Sequence, residues 1–237
     1  MLHPRVRAAA EAWLPGWLLR ALNPFESRMQ AAVAGFAASL PDGARVLDAG
    51  AGEARYAGYF SRQRYLALDL AVGDAAWDYS KLDVLADLEA LPLADGLCHA
   101  VVHIVTLEHV REPHRVMREL ARVLRPGGRL FLVAPQDWEI HQAPHDFFRY
   151  TRYGLEYLAG QAGLSVVRLE AVGGFGWLLA RRAVNLLSMC QGGWRWLLFA
   201  LLAPLCGLLI PLALYPLDRL DRQRRFTLGY IGEFRKA

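Results

Sequence analysis

Val46-Leu47-Asp48-Ala49-Gly50-Ala51-Gly52 is the stretch whose reading decides how this chain folds. An apolar strand runs into two glycines, and backbone without Cβ atoms can approach a ligand closely. A helix opening after such a turn presents unpaired N–H groups. The sequence predicts that helix over residues 55–60, with Tyr56 and Tyr59 in it. A tight turn that merely packs strand on helix would use the same glycines, so the neighbouring acids carry the decision. Asp48 stands two positions before Gly50, and Asp69 lies 17 after Gly52, at the end of the next apolar run, 65–70. A carboxylate there can accept both ribose hydroxyls of an adenine nucleoside at the carboxyl edge of a sheet. Asp48 and Glu53 would repel a pyrophosphate, which argues against a dinucleotide, but they suit a cationic, phosphate-free ligand.

Outward from this turn, apolar runs alternate with helical spacing. Strands are predicted over 44–48, 65–70, 97–105, 129–134 and 165–169, and helices over 25–40, 113–124 and 153–162. Such alternation reads as a parallel sheet covered on both faces. Residues 226–234, with alternating large side chains, form the last strand. Residues 5–20 carry one apolar face, including Val6, Trp13 and Trp17, broken at Pro15-Gly16. Arg5, Arg7 and Glu11 interrupt any signal-peptide core, so export is not expected. The expected organisation is N-terminal helices over 1–40 covering the domain, a core over 41–175, an apolar helical hairpin over 176–220 and the last core strand within 221–237.

A net charge of +4 with dispersed arginines excludes the basic stripe of a nucleic-acid binder. Cys98, Cys190 and Cys206 are isolated in apolar runs, which predicts buried free thiols in a reducing, cytoplasmic compartment and no cysteine metal site.

Taken with Asp87-Leu88-Glu89-Ala90-Leu91-Pro92-Leu93, Leu107-Glu108-His109-Val110 and Arg122-Val123-Leu124-Arg125-Pro126-Gly127-Gly128, the glycine turn and Asp69 resemble the class I S-adenosylmethionine-dependent methyltransferases, in the branch that includes quinone and small-molecule enzymes. The resemblance covers about residues 28–172. It implies a Rossmann-like α/β fold with a mostly parallel seven-stranded sheet, an antiparallel final strand and an apolar helical insert before it, and S-adenosylmethionine as cofactor. By the same resemblance, Gly50 and Gly52 line the methionine part, with Asp48 reaching the turn or the cationic ligand. Asp69 binds the ribose, Asp87 and Leu88 flank the adenine, and Thr106 and Leu107 border the cofactor beside the substrate. Ala54 replaces a glycine frequent in the family. Some quinone O-methyltransferases use a metal near the Glu-His pair, with an acid three positions before the glutamate. That position is Val105 here, so no metal site is expected.

Methyl transfer is an in-line displacement that needs orientation and water exclusion more than a triad. A base helps when the acceptor is a hydroxyl. The candidates are His109, His141 and His145, with His145 and His109 expected to be catalytic. Residues 135–153 follow the fifth strand, where substrate loops lie. There His141, Asp146, Phe148, Arg149 and Tyr150 form the expected substrate side, polar groups amid aromatics. The run His145 to Thr151 resembles a segment in superfamily members that accompany cell-surface glycan or lipid pathways. Shaping of the loop and filling of the core edge remain alternative roles for these residues.

Residues 196–217 are 22 in a row without a charge, long enough to span hydrocarbon. A single crossing would strand the last sheet strand on the wrong side. A hairpin of 177–187 and 196–217 bent at Gln191-Gly192-Gly193 instead fits a peripheral or monotopic element on the cytoplasmic face. Its tryptophans suit the interface, and Arg181, Arg182, Arg195, Arg219, Arg222, Arg224 and Arg225 suit anionic headgroups. Burial against the domain, or a homodimer through the insert, is the alternative. The expected acceptor is a small molecule, a lipid or a lipid-linked glycan, and the competing class is a catalytically silent scaffold.

Overall fold

β1 (Arg45–Ala49) sits at the centre of a seven-stranded sheet in the order β3-β2-β1-β4-β5-β7-β6, in a computed structural model that describes residues 12–74 and 76–237. The opening of the helix expected over 5–20 lies outside the described residues. β2 (Arg64–Asp69) and β4 (Cys98–Ile104) flank β1 in parallel, with Val46 opposite both Tyr65 and Ala100. β3 (Val84–Leu85) adds to β2, and β5 (Leu124–Pro135) adds to β4, again in parallel. β7 (Gly229–Lys236) runs antiparallel to β5 and lies beside β6 (Leu164–Val172). The expected sheet and its antiparallel last strand are therefore present. Its strand order reverses between β1 and β4, the place where open α/β sheets hold ligands.

Two compact units account for the chain, residues 30–170 with 229–237 and residues up to 29 with 171–228. In the first, Val46, Leu47, Val101, Val102, Leu130 and Leu132 are all buried, as expected of strands covered on both faces. α2 (Pro24–Ala38), the helix expected over 25–40, precedes β1 in the chain, and α3 (Pro113–Val123) buries Val116, Met117, Leu120, Ala121 and Val123, one face at helical spacing, and starts on a proline whose missing N–H is unneeded there. α4 (Arg152–Gln161) begins where the Thr151 hydroxyl accepts Gly154 N–H at 3.2 Å.

Two local expectations are corrected. The helix predicted over 55–60 is a 3-10 turn, Ala57–Phe60. Ala54 is in the left-handed region (φ 52°), which interrupts helical geometry, and β2 begins only four residues after the turn ends. β5 starts at Leu124, ahead of the predicted 129. Leu124 pairs with Cys98, the ladder breaks over the Pro126-Gly127-Gly128 turn, and pairing resumes at Arg129 with Ala100.

The second unit holds α1 (Gly16–Leu22), α5 (Phe175–Met189), α6 (Arg195–Pro204) and α7 (Ile210–Leu217). α5 and the helical run from Arg195 make up the apolar helical insert expected before the last strand, and they are joined through Gly192 (φ 102°) and Gly193 (φ 53°). The backbones meet closely, since a Cβ on Gly176 would lie 2.5 Å from the Leu214 carbonyl oxygen. Trp177 packs edge-on to Tyr215, whose hydroxyl donates to the Leu22 carbonyl at 2.8 Å. The prolines do not break the run. A π-helical turn, Leu205–Leu209, falls between Pro204 and Pro211 and keeps it helical over 26 residues to Leu220. Buried Asp218 accepts Gly174 N–H (2.8 Å) and Trp177 N–H (3.2 Å) at the start of α5 and pairs with Arg224. That arginine therefore serves the fold. Cys98, Cys190 and Cys206 are free and buried.

Candidate active site

The glycine turn is held by the acid that the sequence singled out. Asp69 accepts Gly52 N–H at 2.9 Å on one oxygen and Ala71 N–H at 2.7 Å on the other. Each oxygen keeps a further lone pair. Gly50 (φ 83°) cannot be replaced without movement, because a Cβ there would lie 2.3 Å from Thr106 Cγ2. Thr106 sits just past the end of β4, and its hydroxyl reaches the carbonyls of Ile104 (3.0 Å) and Gly50 (3.2 Å). Asp48 is buried and accepts the Tyr65 hydroxyl. Burial pushes its carboxyl up to about 7, with the Tyr65 hydrogen bond pulling down and the charge of Asp69 adding upward. Asp87, past the end of β3, accepts Glu89 N–H at 2.9 Å as a turn cap, and its neighbour Leu88 is buried.

Two residues near the turn were not anticipated. Trp77 lies over it: Cβ atoms on Gly52 or Gly73 would each come within 3.1 Å of its ring. His103, fully buried on β4, places Nδ1 2.7 Å from the Ala49 carbonyl, and its ring feels the charges of both Asp69 and Glu108. Burial holds it below the usual imidazole range. A histidine directly after the apolar run Ala100-Val101-Val102 was the available signal for His103. Trp77, in an irregular segment, offered none.

A second constellation lies past the end of β4. The 3-10 turn Leu107–His109 carries buried Leu107, whose carbonyl accepts the Tyr150 hydroxyl at 2.8 Å. It also carries Glu108, whose side chain is completely buried. His141 Nε2 stands 3.4 Å and His109 Nε2 3.7 Å from Glu108 Oε1. The two rings cross nearly at right angles, with centroids 4.7 Å apart. His109 Nδ1 meets the His145 carbonyl at 2.5 Å, and His141 Nδ1 the Glu139 carbonyl at 3.0 Å. Burial lowers His109 despite the charge of Glu108. For His141 burial also opposes the charge, but Glu108, the Glu139 carbonyl and Asp146 together outweigh it and raise the imidazole.

Asp146 latches the loop. It accepts His141 N–H at 2.9 Å and two Arg149 N–H groups at 2.6 and 2.8 Å, and chiefly Arg149 holds its carboxyl down near 2. Arg149 also donates to the Glu139 carbonyl at 2.9 Å. His145 contributes its carbonyl to the cluster, while its half-buried ring lies beside Phe147, centroids 6.3 Å apart. Phe148 is exposed and Tyr150 buried. The structure thus gathers His109 and His141 around Glu108 and leaves the His145 ring apart.

Residues 47–132 match the family described as methyltransferase domain. This is the class I S-adenosylmethionine-dependent methyltransferase fold. One similar protein is the tRNA U34 carboxymethyltransferase of Syntrophotalea carbinolica, 36% identical over 92 residues, which are 34% of this chain and 28% of that one. The matched part spans less than half the length of the curated relatives it resembles. Among solved structures, the [4+2]-cyclase SpnF superposes with a TM-score of 0.57 at 22% identity, over 88% of this chain and 80% of that one. The 1,6-didemethyltoxoflavin-N1-methyltransferase of Burkholderia thailandensis, bound to 1,6-didemethyltoxoflavin and S-adenosylhomocysteine, gives 0.55 at 16% identity over 100% and 92%. The methyltransferase fold implies S-adenosylmethionine as cofactor. The residues present fit it: Gly50 and Gly52 both take a positive φ beside close neighbours that leave little room for a Cβ, and the turn is held by the Asp69 carboxylate.

Proposed function

We propose that this chain is an S-adenosylmethionine-dependent methyltransferase acting at a membrane surface on a small-molecule, lipid or lipid-linked glycan acceptor. The observation that carries the donor side is the Asp69 carboxylate gripping the glycine turn with lone pairs to spare. When bound, the cofactor supplies an electrophilic methyl group. The chain's own contribution is to hold the donor against Asp48, Asp69, Thr106 and Leu107 and the acceptor against the 136–150 loop, so that the two meet in line. Orientation of that kind is worth roughly 7 to 11 kcal/mol. Where the acceptor is a hydroxyl, the His145 imidazole would take up its proton. His109, through its Nδ1 contact, fixes the His145 backbone.

The membrane side rests on the run from Arg195 to Leu220. It has a mean hydropathy of 2.5 in its most apolar 18-residue window, of which only 11% is buried. Leu197, Leu201, Leu205 and Leu209, four apart, are all exposed, so one apolar stripe of the hairpin lies uncovered. Trp194 and Trp196 stand at its start, where an interface would hold them.

A scaffold that keeps the fold without methyl transfer is the second reading, favoured by the likeness to a structure described as a cyclase. Calorimetric titration with S-adenosylmethionine, followed by mass spectrometry of membrane extracts incubated with methyl-labelled cofactor, separates the two. Binding plus a labelled product is expected. Absence of binding by folded protein removes the enzyme reading, and binding without any labelled product supports the scaffold.

A further inference from the structure

We propose that Glu108, His109 and His141 form a binding site for one divalent first-row transition-metal cation. One ligand atom from each side chain lies within 4.8 Å of the other two, and the cluster is closed to solvent, with side chains 0%, 10% and 7% exposed. Among the described residues, both Glu108 oxygens and both Nε2 atoms lack a hydrogen-bond partner. Buried carboxylates left in that state are strongly disfavoured, so the arrangement calls for a positive centre between these atoms. The two imidazoles are already set for it. Each directs Nδ1 at a backbone carbonyl, His145 for His109 and Glu139 for His141, so each Nδ1 carries the proton and each Nε2 lone pair faces Glu108. The orienting contact behind a metal-binding histidine has this form.

The spacings fit a shared ion better than shared protons. At 3.4 and 3.7 Å, the two Nε2–Oε1 separations are too long for charge-assisted hydrogen bonds, which close to about 2.7–2.9 Å. Ligands on a tetrahedral cation with bonds of about 2.0–2.1 Å stand roughly 3.4 Å apart. Two imidazole nitrogens with one carboxylate select a borderline cation such as zinc, iron(II), cobalt(II) or manganese over magnesium or calcium, which take all-oxygen sets. Three protein ligands leave a coordination position open. The cation would tie the 136–150 loop to the end of β4, joining the Asp146–Arg149 latch in fixing that loop. Val105, in the place of an additional acid, is not needed because His141 arrives from the loop as the third donor. The site stands whether or not the chain transfers methyl groups.

The test uses the full chain, stripped with chelator, desalted, loaded with cobalt(II) or zinc, passed through gel filtration and counted by elemental mass spectrometry. One ion per chain is expected, with a visible cobalt(II) spectrum of low coordination number. E108Q and H141N should each weaken binding at least about 100-fold while circular dichroism stays native, and H114N, at an exposed histidine, should change nothing. Wild-type protein that retains no ion, or an ion count equal in wild type, E108Q and H141N, overturns the site and leaves a protonated His141 as the partner of Glu108. No step involves S-adenosylmethionine, so this result is independent of the cofactor titration.

Discussion

Asp48 is a carboxyl group whose burial pushes its pKa up to about 7, beside a turn that binds a cation in the proposed function. A cationic cofactor favours the ionised form, so binding below about pH 7 must expel a proton. Affinity for S-adenosylmethionine is expected to climb as pH rises toward 7, by up to about tenfold per unit, and to level off above it. The free protein runs the other way. With its folded pKa raised, Asp48 makes stability fall from the ordinary carboxylate range up to about pH 7 and then level off, because the folded state holds the proton that the unfolded state has released. D48N should flatten both profiles, binding more weakly than wild type at pH 8 and melting higher there. Calorimetry and thermal melts across pH 5–8 check this, and an unchanged slope in the variant would remove Asp48 from the linkage. Such single residues were legible where their reason is local. A glycine at positive φ and an acid at a strand end are visible in sequence, whereas the meeting of Glu108 with His141 depends on how a loop folds back over a sheet edge and has no sequence signature.

The hairpin was readable as an element because uncharged length and a Gly-Gly bend are both local properties. β3, at two residues, was too short for any periodicity to show. What the sequence left open was which face of the hairpin is covered. Gly176 and Cys206 are buried, while Leu197 (76% exposed) and Leu201 (73% exposed) face outward. Full burial of a leucine is worth about 1.5–3 kcal/mol, so L197S/L201S should lower partition onto anionic vesicles at least tenfold, read by co-sedimentation. The polar half of that attraction is smaller than the arginine count suggests, since Arg224 is tied to Asp218. If the stripe joins two copies instead, the double variant leaves vesicle partition unchanged and lowers the molecular mass in sedimentation equilibrium.

At the scale of the molecule, the insert interrupts the sheet between its last two strands in chain order and yet lets the sheet close. Val172, the last residue of β6, accepts Leu228 N–H at 3.2 Å and the Thr227 hydroxyl at 3.0 Å, so the chain leaves and re-enters at one point. Ser165 reaches the Arg235 carbonyl at 3.1 Å at the other end of the same strand pair. Strands that begin and end this close need only a turn between them, and the cost of closing a loop grows slowly with its length. The long excursion is therefore tolerated without being required by the sheet. Replacing residues 174–226 with a short Gly-Ser linker should leave β6 and β7 paired as a simple hairpin. The shortened chain is expected to keep native far-UV circular dichroism and its affinity for S-adenosylmethionine, while losing co-sedimentation with anionic vesicles. A shortened chain that binds cofactor and still sediments with vesicles would move the membrane contact off the insert. One that fails to fold would show that the insert completes the core and does not merely decorate it.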